Sequence, residues 1–132
     1  MDNRFTELVK ESNRFRESKD CAVKAVAVVT GKPYKVAHAA LKVNGRSNRC
    51  GTPRHVTINA IKSLGFKVSL LDDKHAMRKA KTLRTLETKV PSRGMFLVCV
   101  RKHIIGVRAG MIQDWTEGRC NRIIEIYRVS QV

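Results

Sequence analysis

Cys21 heads the apolar run CAVKAVAVVTG, directly after Lys19 and Asp20. Ala22, Ala25, Val26 and Val29 recur at i, i+3, i+4 and i+7, so the run is expected to form a largely buried helix over 20–30, closed by Gly31. The first turn of a helix has unpaired backbone N–H groups and lies at the positive end of its dipole. A thiol at that position ionises more easily, and the thiolate is the nucleophile. The same amides can hold an oxyanion. The plainer alternative is a small buried core cysteine.

A nucleophilic thiol needs a base, and the base must be oriented. Of the four histidines, His38 lies inside the second expected helix, His55 in the first turn of the third, and His75 in a basic loop. His103 differs, because it opens a strand immediately after the apolar strand 94–101. Asp114 follows across a tight hairpin. A two-residue turn at Ala109–Gly110 or a four-residue turn over Arg108–Met111 gives cross-strand pairs whose numbers sum to 219, so Asp114 faces Ile105 and shares a side with His103; a three-residue turn would put the two on opposite faces unless a bulge intervened. Asp114 can then accept from one ring nitrogen of His103 while the other faces Cys21. Trp115 beside Asp114 would shield that contact from water or simply fill the core.

These groups must be carried by the elements around them. Phe5, Leu8 and Val9 suggest a short helix ahead of the polar approach to Cys21. Pro33 starts a second helix, with Val36, Ala37, Ala40 and Leu41 on one face and Asn44–Gly45 at its end. Thr52 is expected to cap a third helix with Pro53 at its first position, Val56, Ala60, Ile61 and Leu64 inward, and Gly65 as its stop. Phe66, Val68 and Leu70 alternate with polar residues and predict a strand. The segment 72–81 gives no assignment, and 82–89 reads as a short helix with Leu83 and Leu86 inward. Four β-rich segments follow at 94–101, 103–108, 111–115 and 122–129. Helices first and an antiparallel sheet afterwards make an α+β pattern in which the nucleophile helix packs on a C-terminal sheet.

At 132 residues the chain is expected to be one domain spanning 1–132 with a core of its own. Nothing reaches the apolar length of a membrane span, and MDNRFTELVK is not a signal peptide. Cys21, Cys50, Cys99 and Cys120 show no C-x-x-C spacing and are expected to be reduced thiols of a cytoplasm. The scattered cysteines and histidines offer no metal-ligand spacing, and no cofactor is expected. Lys and Arg number 27 against 11 Asp and Glu, a net charge of +16. So basic a domain is attracted to polyanions, including non-specifically to nucleic acid. Aromatics are only 5% of the chain, which supplies little for base stacking on single strands.

The combination DCAVKAV…TGKPYKVAHAAL…GR followed by RGMFLVCVRKHIIGVRAGMIQDW resembles the papain-like cysteine peptidase superfamily in its compact form. It is similar in particular to short, mostly uncharacterised cysteine-peptidase-like proteins encoded by bacteriophages and bacteria. The resemblance runs from about Asp20 to Val129. It implies a papain-like fold, Cys21 as nucleophile, His103 as base and Asp114 as the orienting residue. It also implies a peptide or protein substrate and a cytoplasmic location, that of the host for a phage product. Papain-like enzymes carry a Gln six residues before the cysteine; here that position is Phe15, and the nearest amide is Asn13. Asn13 is therefore the expected oxyanion donor, with Ser18 a weaker candidate. Two functions follow from these readings. One is a cysteine hydrolase of peptide or isopeptide bonds, acting on an acidic or nucleic-acid-bound substrate; an acyl-transfer or transamidase reaction on the same triad has the same sequence signature. The other is a catalytically silent module that binds a host protein or nucleic acid through its basic surface.

Overall fold

The computed structural model describes residues 8–10, 20–46, 53–72, 74–86, 89–91, 93–100, 103–113 and 122–131. Residues 8–10 are helical, and Leu8 is buried in the core. Three ten-residue helices come next: α1 (Cys21–Thr30), α2 (Tyr34–Val43) and α3 (Arg54–Ser63). Strand β1 (Phe66–Leu70), a 3-10 turn (Ala76–Lys79) and the short helix α4 (Leu83–Leu86) lead into β2 (Met95–Val100), β3 (His103–Arg108), β4 (Met111–Gln113) and β5 (Ile123–Gln131). The class is α+β, as the order of patterns indicated.

The five strands form one antiparallel sheet in the order β1-β5-β2-β3-β4. Its two faces carry separate apolar clusters. One is covered by α1, α2 and α3 and takes Phe66, Leu97, Cys99, Ile104 and Val129 from the strands. The other takes Phe96, Val98, Val100, Ile105 and Val107, and is covered by Leu71, Met77, Ala80, Leu83 and Leu86. The segment without a sequence assignment is thus part of a second layer. His75 caps its 3-10 turn, its Nδ1 accepting from the Met77 amide at 3.2 Å.

Helix α1 is the centre of the first layer. It lies mainly on β3 and also contacts β2, α2 and α3. Every residue from Ala22 to Thr30 except Lys24 is buried, so the helix is enclosed almost all round. Its small residues permit that. Gly31 ends it at φ 70°, with its amide donating to Ala27 O at 3.0 Å. The prolines of α2 and α3 stand one place earlier than the sequence suggested. Pro33 and Pro53 occupy the N-cap positions, each with an extended ψ, because proline fixes φ but leaves ψ free to enter the helix from outside. Thr52, the expected cap, lies outside the described residues. No helix among the described residues is long and apolar enough to cross a membrane.

Candidate functional site

Cys21 is the first residue of α1 and is half-buried. Asp20 occupies the N-cap, but its side chain makes no capping bond to the amides of the first turn. The carboxylate is instead drawn sideways: Oδ2 accepts from the Tyr34 hydroxyl at 2.6 Å, and Oδ1 lies 3.2 Å from Lys24 Nζ. Asp20 is only 2% exposed, so this pairing is what makes burial of its charge tolerable. The result leaves the N-terminal end of α1 with its charge balanced by Lys24 and its capping position unused by the aspartate. His38 stacks on the Tyr34 ring, centroids 6.0 Å apart, and extends the polar group along α2. The sequence hinted at one part of this, the i, i+4 spacing of Asp20 and Lys24. Nothing in it signalled that Tyr34 would reach back to Asp20.

His103 is the first residue of β3 and is half-buried. The contacts between α1 and β3 fix their relative direction. A Cβ added at Gly106 would lie 2.7 Å from Val28 Cβ and 3.0 Å from Ala25 O. Farther along β3, Arg108 Nη1 donates to Val28 O at 3.1 Å, and its guanidinium abuts Gly31. Helix and strand therefore run in the same direction. Going back from these contacts, α1 reaches Cys21 after about 10 Å at 1.5 Å per residue. β3 reaches His103 after about 10 Å at 3.3 Å per residue. Cys21 and His103 consequently sit at the same end of the α1–β3 pair.

They do not start from the same side of the strand. Gly106 meets α1, and Ile104 belongs to the cluster beneath the helices. Alternation puts His103 with its pairing partner Val100 and with Ile105 on the opposite face. Any approach of the imidazole to Cys21 runs around the β2–β3 end of the sheet rather than through it.

The hairpin that was to bring Asp114 to His103 has the expected register. Arg108 pairs with Met111, Val107 with Ile112 and Gly106 with Gln113. The turn residues Ala109 and Gly110 have φ of 52° and 81°, as a two-residue primed turn requires. Asp114 itself lies outside the described residues, as do Asn13, Phe15, Ser18, Trp115, Cys50 and Cys120.

Cys99 is the other described cysteine, and its surroundings exclude it as the nucleophile. It is 1% exposed beneath the helices, paired with Ile104 on one side and Glu125 on the other. Burial pushes its thiol up to about 11; Arg54 opposes the shift and Glu125 adds to it. Arg54 is ion-paired with Glu125, which also accepts from the Tyr127 hydroxyl at 3.0 Å. Cys99 thus stays protonated at neutral pH. His55 is exposed, and His75 is held at the 3-10 turn by its Nδ1, which accepts from the Met77 amide.

Comparison with known protein families, curated proteins and solved structures finds no match to this chain.

Proposed function

We propose that the chain is a papain-like thiol hydrolase acting on a peptide or isopeptide bond. Cys21 is the nucleophile and His103 the base. Asp114 orients the imidazole, and Asn13 joins the Cys21 amide in holding the oxyanion. What supports this is one observation above the others: α1 and β3 run in the same direction, with Cys21 and His103 at their common end.

In the reaction, the Cys21 thiolate attacks the carbonyl carbon and the oxyanion collapses with cleavage of the C–N bond. The His103 imidazolium gives its proton to the leaving amine. Water then attacks the thioester while His103 takes its proton, releasing a carboxylic acid and restoring the thiol. A net charge of +16 favours an acidic substrate or one carried on nucleic acid.

Acylation by p-nitrophenyl acetate tests the proposal without knowledge of the natural substrate. The expected result is a burst of p-nitrophenol with the acetyl group on Cys21, lost in Cys21→Ala and about a hundredfold slower in His103→Ala. Acetylation spread over lysines and unchanged in His103→Ala would contradict it.

A specific observation favours a second reading. The strand face occupied by His103 is the one turned away from α1. If the imidazole stays there, the chain keeps the scaffold without the chemistry and serves as a binding module. The same experiment separates the two.

A further inference from the structure

Helix α2 has two apolar sides. One enters the core through Tyr34, Ala37 and Leu41. The other is outward: Val36, Ala39, Ala40 and Val43 line a groove of about 500 Å³ completed by Leu64 at the end of α3. Val43 is 86% exposed there, the highest exposure recorded for a large apolar side chain in the described residues. Leaving such a stripe in water is unfavourable, and contiguous apolar patches of this kind mark partner sites.

The charge around the groove says what kind of partner fits. Between Asp20 and Asp72 the chain contains no Asp or Glu, while Lys and Arg occur nine times. Neither α2 nor α3 carries a carboxylate, and of their cations Arg54 is paired with Glu125 on β5. Lys35 lines the groove and Lys42, two turns along α2, continues the same edge. A nucleic acid would use the cations but not the apolar floor, and the groove contains no aromatic ring for a base to stack on. A second copy of this chain would bring the same excess of positive charge to the contact. A helix that is apolar on one side and acidic at its margins satisfies both features.

We infer that the α2–α3 groove is the docking site for an acidic amphipathic helix of a partner protein. Apolar side chains at i, i+3 or i+4 and i+7 of the partner lie along Val36, Ala39 and Val43, and its carboxylates face Lys35 and Lys42. The site does not depend on Cys21 or on catalysis.

The probe is a synthetic helical peptide with Leu at i, i+3, i+4 and i+7 and Glu elsewhere, titrated into the isotopically labelled full chain. Amide shifts are expected at Val36, Ala39, Ala40 and Val43. Binding should weaken about tenfold in Val43→Asp and in Lys35→Glu, with melting temperatures unchanged. A peptide of the same composition with its Leu residues scrambled should bind at least tenfold more weakly. Three results would overturn the inference. The first is no binding, or equal binding of the scrambled peptide. The second is a duplex DNA that gives the same shifts and the same loss in Val43→Asp. The third is a dimer of the free chain that Val43→Asp dissociates.

Discussion

Helices α1 and α2 are neighbours of equal length with opposite surroundings. α1 is enclosed by the sheet, α2 and α3, and its one long polar side chain, Lys24, is tied to Asp20. α2 is buried on one side only and turns a second apolar stripe outward. The comparison separates two ways in which an apolar helix can be used. One fixes the helix and its first residue by immobilising everything behind it. The other leaves a face open for something to cover. The distribution of apolar residues differs between them: α1 is apolar on nearly every side and lies against Gly106 on β3, whereas Lys35 and Lys42 flank the outer stripe of α2.

The largest break in that comparison is Gly106→Ala. Its Cβ would meet Val28 Cβ at 2.7 Å and the Ala25 carbonyl oxygen at 3.0 Å, and backbone cannot swing away. A loss of about 3 kcal/mol in unfolding free energy is expected, read by denaturant titration. A loss below 0.5 kcal/mol would mean that α1 and β3 are not in close contact. Tyr34→Phe is smaller. It removes the hydroxyl that donates to the buried Asp20 carboxylate at 2.6 Å, a charge-assisted bond worth about 2 kcal/mol. Near-neutral stability in that variant would show that Lys24 suffices to hold Asp20. Val43→Asp, on the open side of α2, should change stability by less than about 0.5 kcal/mol, because the side chain is 86% exposed.

Much of this arrangement was legible in the sequence. The period of α1 and its terminal glycine, the apolar runs of β2 and β3, and the even turn at Ala109–Gly110 are local signals. They survive into the structure because nothing distant competes with them. The order of the sheet was not legible. β5 inserts between β1 and β2, and that choice is made by long-range pairing of Val68 with Val129 and Leu97 with Tyr127. The second layer was missed because 72–81 is polar and basic, and of the described side chains in that stretch only Met77 and Ala80 face the core. For the site, the position of Cys21 at a helix head could be read from spacing. The side of β3 from which His103 departs depends on pairing with Val100 and on Gly106 meeting α1. Neither is visible until helix and sheet are docked.

Alkylation by iodoacetamide, followed site by site by mass spectrometry between about pH 5 and 9 on wild type and His103→Ala, puts the proposed Cys21–His103 pair to the most direct test. Cys99, whose thiol is pushed up to about 11, serves as the unreactive internal reference. A thiolate–imidazolium pair requires Cys21 to react rapidly already near pH 6 and to lose that advantage in His103→Ala. A Cys21 rate that rises only towards the ordinary thiol value of about 8.5, and does so equally in both proteins, would contradict the pairing and leave α1 as the core of a binding protein.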